Sequence, residues 1–216
     1  GFQLPQHFNS PYKSLSITDF CRRWHMSLST WLRDYLYIPL GGNRLGLGRT
    51  YINLFLTMLL GGLWHGANWT FMLWGGYHGS LLALERALGK RGLFGWAPVA
   101  VQRFSTFIMV LIGWVFFRCP SLDHALGLLG GMLGWYGWGL DILMSVREQM
   151  FAWYMLPVSL ILVWVAPNTW ELQWPWNGPS SRISSAVWAV CAALLLVVCV
   201  GVILVNSSSP FLYFQF

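Results

Sequence analysis

The chain has 216 residues, of which 56% are hydrophobic and only 9% charged, with a formal net charge of +6. A soluble domain carries about 25% charged residues, so most of this protein's surface does not face water. The arginines do not form a long basic run with interleaved stacking aromatics, which argues against a nucleic-acid partner. The composition predicts an all-α, polytopic membrane helical bundle with the lipid bilayer as its main surroundings.

The chain begins without an initiator Met, and no basic segment followed by an apolar one suggests a signal peptide. We interpret residues 1–17 as a loop entered from upstream. Residues 1–216 are then expected to be the C-terminal portion of one membrane domain whose N-terminal half is absent. Ten of the thirteen Lys and Arg fall within residues 13–103, and because positive loops stay cytoplasmic, residues 13–49 are predicted to lie on that side.

The stretch "TDFCRRWHMSLSTWLRDYLYIP" predicts an amphipathic helix over 18–38. At about 100° per residue its apolar residues fall on one half and its arginines on the other, which is typical of a helix in the membrane interface. His25 is the exception, because it falls on the apolar half between Leu32 and Leu36. A buried ring needs a partner. Either a neighbouring carbonyl hydrogen-bonds His25, or the ring points into the same interior as His65.

Residues 50–84 contain no Asp, Glu, Lys or Arg. An ionisable side chain at the bilayer centre costs about 2.5–3.5 kcal/mol, so this stretch is predicted to be embedded. It is rich in glycine and short for two full crossings. We therefore predict a histidine-bearing broken helix pair over 51–88 that turns from His65 to Asn68. Non-helical backbone at membrane depth persists only where protein or a water-filled cavity covers it, so His65 is expected to line an interior.

Asn68 admits two roles. It can cap the helix that starts at Trp69, or it can share the face of His65 and donate to a developing oxyanion.

Further membrane helices are predicted at about 99–118, 149–170 and 183–205, for four to six embedded helices in all. The four cysteines include no C-x-x-C pair, so no metal site is expected.

Two blocks of sequence closely resemble the membrane-bound O-acyltransferase family. They are "CRRWHMSLSTWLRDYLYIPLGGNR" (21–44) and "NLFLTMLLGGLWHGANWTFMLWGGYHG" (53–79). Within the family they are most similar to the bacterial branch that O-acetylates exopolysaccharides such as alginate, although that branch usually carries Trp in place of Cys21. The resemblance implies a many-helix enzyme with broken helices around a tunnel, in which an acyl donor from the cytoplasmic face meets a hydroxyl acceptor.

The resemblance also implies roles for two histidines. His65 in "LWHG" matches the catalytic histidine of the family, and His25 in "RRWH" matches a second signature position that is asparagine in many eukaryotic members. A neutral imidazole suits removal of a hydroxyl proton, so we predict that His65 is the general base and that His25 orients it or polarises the carbonyl. We also predict substrate contacts from Trp64, Asn68 and Arg22, with Arg22 gripping donor phosphates.

The resemblance implies acetyl-CoA or another acyl thioester as donor, with no tightly bound cofactor. It implies extracytoplasmic acetyltransferase partner proteins and a multi-pass location in the bacterial inner membrane. Three alternatives stay open: a non-catalytic transporter or conduit subunit, a purely structural scaffold, and an acyltransferase of different substrate, such as a teichoic-acid D-alanylation enzyme. The first two differ from the enzyme in what His65 does.

Overall fold

A computed structural model describes residues 5–89, 92–135, 137, 150–168, 171 and 182–205. The elements among these residues are helical and none is a strand, so the all-α prediction is confirmed. The chain divides into two compact units, Gly1–Ala166 and Pro167–Phe216. The first unit holds α1 (Ile17–Arg23), α2 (Met26–Leu32), α3 (Gly46–His65), α4 (Trp69–Leu88), α5 (Val99–Arg118), α6 (Leu122–Met132) and α7 (Met150–Val165); the second holds α8 (Arg182–Val205).

The helix predicted over 18–38 is not continuous. Its first part, α1, ends before Trp24, and His25 has the left-handed backbone angles φ 45° and ψ 55°. The second part, α2, starts at Met26 and passes into a π-helical turn over Arg33–Tyr37. A left-handed residue changes the direction of the chain. The helical arithmetic that placed His25 between Leu32 and Leu36 is therefore wrong.

The segment before α1 holds this break from both sides. The backbone N–H of Asn9 donates to the carbonyl oxygen of Arg23 at 2.9 Å, and the N–H of Met26 donates to that of His7 at 2.7 Å. These two bonds flank His25 and satisfy backbone groups that the interrupted helix leaves without helical partners. A left-handed residue other than glycine is costly and persists only where its surroundings fix it. Residues 7–9 supply that restraint.

The helices α3 and α4 lie on either side of the turn at Gly66–Asn68 and cross closely through glycines. A Cβ on Gly62 would overlap the carbonyl oxygen of Phe71, and a Cβ on Gly75 would overlap that of Met58. Small residues of this kind let membrane helices approach to backbone contact. The crossing lies next to the end of α3 that carries His65.

Gly75→Ala should destabilise the protein strongly, because the new methyl meets rigid backbone of α3. Overpacking of this kind costs about 1–3 kcal/mol or more. The neighbouring Gly76→Ala is the matched control: its Cβ would lie 3.7 Å from the side chains of Leu59 and Phe55, an ordinary contact. Thermal unfolding in detergent should show a lowered midpoint for Gly75→Ala alone. Equal midpoints for the two variants would contradict the observed crossing.

The first helix is anchored to α4 by a buried carboxylate. Glu85 is 3% exposed and accepts hydrogen bonds from the backbone N–H of Ile17 at 2.8 Å and of Thr18 at 2.9 Å. The hydroxyl of Thr18 donates a third at 2.7 Å. Because the N–H groups that open a helix have no helical acceptor, this carboxylate satisfies them and suits the positive end of the helix dipole. Glu85 therefore fixes the start of the helix that leads to His25.

Glu85→Gln should lower the free energy of unfolding by about 1.5–3 kcal/mol, the usual value of hydrogen bonds to a charged group. The amide keeps one oxygen acceptor but turns an NH₂ group toward N–H donors. Thr18→Val removes only the hydroxyl bond and should cost less than half as much. Denaturant titration in detergent micelles measures both. A loss for Thr18→Val as large as that for Glu85→Gln would argue against the carboxylate as the anchor.

A small core lies where α1 meets α4 and α5. Ile17, Phe20 and Val110 are buried there, and the Phe20 and Trp24 rings stack with centroids 5.8 Å apart. The amine of Lys13 donates to the carbonyl oxygen of Ala166 at 2.8 Å, which ties the segment before α1 to the end of α7.

Among the residues whose side chains are described, one helix, Val99–Arg118, is both long and apolar enough to cross a membrane, with mean hydropathy 1.7. Met155–Val165 and Ala189–Gly201 are shorter apolar helices by the same measure. Large apolar side chains are nevertheless exposed along α7, as Val165 at 76% illustrates, and such surfaces need lipid or protein to cover them. The four to six embedded helices expected from the sequence stay a prediction.

Candidate active site

His65 ends α3 inside a wall of aromatic rings. Its ring is half-buried and lies 5.0 Å from the ring centroid of Trp64, 5.4 Å from that of Trp74 and 5.2 Å from that of Phe117. Phe71 completes the wall at 6.4 Å. Trp64 is 64% exposed, whereas the other three rings come from α4 and α5. An imidazole in these apolar surroundings is shielded from water on several sides.

The break between α1 and α2 presents His25 to this site. His25 lies within electrostatic range of His65, although the two are 40 residues apart in the sequence. Its Nδ1 is buried and has no hydrogen-bond partner within the described part of the chain. The rings of His7 and Phe8 lie 6.2 and 6.0 Å away. That the ring of His25 points into the same interior as His65 stays a prediction.

Asn68 uses both ends of its amide within the protein. Its Oδ1 accepts from the backbone N–H of Thr70 at 3.2 Å, which caps α4, and its Nδ2 donates to the carbonyl oxygen of Pro120 at 3.0 Å. An amide committed in this way fixes the turn after His65 and ties it to the start of α6. Asn68 therefore positions the turn, and the substrate contact expected of it stays a prediction.

Arg22 lies on a different cavity. The cavity has a volume of about 1010 Å³ and lies between the α1–α2 region and the α3–α4 pair. Its described lining includes neither His25 nor His65. It includes Arg22, Arg33 and Arg86 together with Glu85. Arg33 is paired with Asp34 at 2.7 Å. The structure thus places Arg22 on a basic cavity whose described lining does not include the rings around His65.

Other candidate groups have structural roles. His78 is 2% exposed, and its Nδ1 donates to the carbonyl oxygen of Trp74 at 3.0 Å while its ring covers Gly113. Burial raises the pKa of the Cys21 thiol to about 12, so Cys21 is no thiolate nucleophile. Within the described ranges, no three His, Cys, Asp or Glu side chains form a group suited to hold a metal ion.

The sequence alone does not show which rings surround His65. Trp74 lies nine residues after His65, but helical spacing alone cannot show that the two rings meet across the turn. Phe117 follows His65 by 52 residues and has no motif around it. Both positions depend on the packing of α4 and α5 against the end of α3.

The family model for membrane-bound O-acyltransferases matches residues 1–122, which include both histidines and the helices α1 to α5. The chain belongs to the membrane-bound O-acyltransferase family. It is 43% identical over its full length to the "probable alginate O-acetylase" of Pseudomonas putida, covering 47% of that protein. It is 39% identical over its full length to the peptidoglycan O-acetyltransferase of Helicobacter pylori, covering 44% of it.

A more distant member of this family is the teichoic acid D-alanyltransferase of Bacillus subtilis, which is 33% identical over 52% of this chain and matched over 30% of its own length. This membrane-bound O-acyltransferase chain spans about half the length of the curated relatives it matches over its full length. The residues of the aromatic wall and both histidines lie within the matched family region.

Proposed function

We propose that the complete protein containing this chain is a membrane O-acetyltransferase that acts on the hydroxyls of an exopolysaccharide such as alginate. The observation that carries the proposal is the half-buried His65 enclosed by aromatic rings, in a chain of the membrane-bound O-acyltransferase family. The similarity to relatives named for O-acetylation of alginate and of peptidoglycan supports acetyl as the group and a glycan as the acceptor.

The proposed reaction uses His65 as general base. The acceptor hydroxyl oxygen attacks the carbonyl carbon of the thioester as a nitrogen of His65 takes its proton, and the carbonyl π pair moves onto oxygen. When the carbonyl forms again, the C–S bond breaks and the leaving thiolate takes the proton back from His65. General-base help is worth about 10²–10⁴ in rate. The rest comes from holding donor and acceptor together in a dry site.

His25 has a separate part in this proposal. Its buried Nδ1 is without a protein partner in the described chain. Such a nitrogen can orient His65 or polarise the thioester carbonyl when substrate is bound. The left-handed turn at His25 directs the ring to that place, because a continuous helix would carry it elsewhere.

We propose that the donor is acetyl-CoA or another acyl thioester and approaches through the basic cavity. Arg22 and Arg86 line that cavity beside Arg33, and guanidinium groups suit the phosphates of such donors. The same residues belong to the positively charged part of the chain, which favours the cytoplasmic side. Trp64 is proposed to contact substrate, since it is exposed and adjoins His65.

The proposed setting is the bacterial inner membrane, which the complete protein crosses several times. We propose that extracytoplasmic acetyltransferase partner proteins act on the same polymer outside the cell. The exposed apolar surfaces of α5 and α7 support a lipid environment for this half of the protein.

The test is a transfer assay without a membrane barrier. The complete protein is purified in detergent and incubated with isotope-labelled acetyl-CoA and alginate oligosaccharides, and the products are analysed by mass spectrometry. An enzyme acetylates the acceptor under these conditions, whereas a conduit yields no product because nothing has to be transported. Parallel reactions with peptidoglycan fragments and with a D-alanyl thioester identify the acyl group and the glycan. Absence of transfer from all donors would refute the proposal.

A further inference from the structure

The indole nitrogen of Trp74 is buried without a hydrogen-bond acceptor in the described part of the chain. Its ring lies against the site: the centroid is 5.4 Å from that of His65 and 5.3 Å from that of Phe117. Neighbouring polar groups on α4 are satisfied. Tyr77 donates to the carbonyl oxygen of Met109 at 3.0 Å, and His78 donates to that of Trp74 at 3.0 Å.

An unmet N–H in this place is unusual. A buried tryptophan normally finds a partner for its N–H, and one that does not lowers the stability of the protein, whereas phenylalanine would fill an apolar position without that cost. The hydroxyl of Thr70 is also buried and unpartnered in the described chain. Thr70 precedes Trp74 by one helical turn on the same face of α4. Two polar atoms thus lack acceptors on one stripe beside His65.

The chemistry of the group limits what can meet it. An indole N–H is a donor only, so its missing partner is an acceptor atom that is present during turnover. In the acyl transfer proposed for this site, negative charge develops on the carbonyl oxygen of the thioester while His65 holds the hydroxyl proton. A fixed donor beside that oxygen stabilises the transition state more than the ground state.

We propose that Trp74 is a catalytic residue whose Nε1–H donates a hydrogen bond to the acyl carbonyl oxygen as it becomes an oxyanion. This inference rests on the function proposed above and adds a second role at the same site. His65 moves the proton, the electron pair displaced from the carbonyl bond stays on the carbonyl oxygen, and Trp74 donates its hydrogen bond to that oxyanion. No proton leaves Trp74 in either step.

The test is Trp74→Phe in the complete protein, assayed for acetyl transfer in detergent. We expect kcat to fall by about 10²- to 10³-fold, as when one oxyanion donor is removed, while KM for the donor changes less than about twofold, because the interaction forms only in the transition state. The thermal midpoint should be unchanged or higher, because an unsatisfied donor is removed. Trp31→Phe, at an exposed position of α2, is the matched control and should leave kcat unchanged.

A second replacement separates the N–H from the shape of the ring. Benzothienylalanine introduced at position 74 keeps the bicyclic ring and replaces N–H by sulfur, so it should reproduce the loss in kcat. Full kcat in either variant would overturn the inference, and so would a lowered midpoint in both, which would reveal a structural partner for the N–H. If the wild-type protein transfers no acyl group from any donor, the proposed function fails instead.

Discussion

His65→Ala should reduce acetyl transfer by at least about 10²–10⁴-fold, the usual contribution of a general base. The reason is that the methyl group cannot take the acceptor proton, and the surrounding rings of Trp74, Phe71 and Phe117 offer no basic atom in its place. The measurement is initial-rate transfer from labelled acetyl-CoA to the oligosaccharide by the complete protein, with the protein amount in the micelles matched between variants. Insertion into the membrane should be normal.

Two further variants sharpen this result. His65→Gln keeps a polar side chain that can hydrogen-bond the hydroxyl but accepts no proton at neutral pH, so it should be nearly as inactive as His65→Ala. His124→Ala is the control, because His124 lies exposed on α6 and bonds Ser121 at 2.8 Å; its activity should equal that of the wild type. Transfer by His65→Ala at even a tenth of the wild-type rate would remove His65 from the role of base.

The turn after His65 could be predicted from the sequence, because its causes are local. Glycine next to the histidine weakens the helix, and asparagine immediately before an apolar run is a common cap. The structure ends α3 at His65 and caps α4 with Asn68. The same local logic gave Asn68 two possible roles, and only the distant carbonyl of Pro120 decides how its Nδ2 is used.

The break at His25 could not be predicted from the sequence, because its causes are tertiary contacts and not local ones. Nothing in "CRRWHMSL" disfavours a continuous helix, since it contains neither glycine nor proline. The left-handed turn is held by residues 7–9, and the helix before it is anchored by Glu85, which accepts from the backbone N–H of Ile17, 68 residues away. Helical periodicity assumes that no such tertiary restraint interrupts the helix. The site depends on this interruption, so a pattern-based placement of His25 could not succeed.

The prediction for Arg22 shows a similar limit. Periodicity put Arg22 on the polar half of its helix, and the side chain is indeed exposed. Which cavity it lines depends on where α3 and α4 lie, because their side chains form the opposite wall. The basic cavity and the aromatic wall have different lining residues, so the position of Arg22 follows from the packing of the helices and not from its periodicity.

Substitutions of His25 should separate the ring from the turn that carries it. Asparagine adopts left-handed angles readily, so His25→Asn should keep the free energy of unfolding within about 0.5 kcal/mol of the wild type. Valine is β-branched and resists φ 45°, so His25→Val should lose about 1–3 kcal/mol. Denaturant titration measures both. Equal stability of the two variants would contradict the left-handed turn.

Activity then depends on the side chain rather than on the fold. His25→Ala should lower kcat by about 10²–10³-fold, because the imidazole that polarises the thioester carbonyl or orients His65 is lost. His25→Asn should retain more activity than His25→Ala, since its amide can still donate one hydrogen bond from the same backbone position. A His25→Ala variant with wild-type kcat would show that the ring is not needed. Equal activity of the alanine and asparagine variants would show that a hydrogen-bond donor at this turn contributes nothing to catalysis.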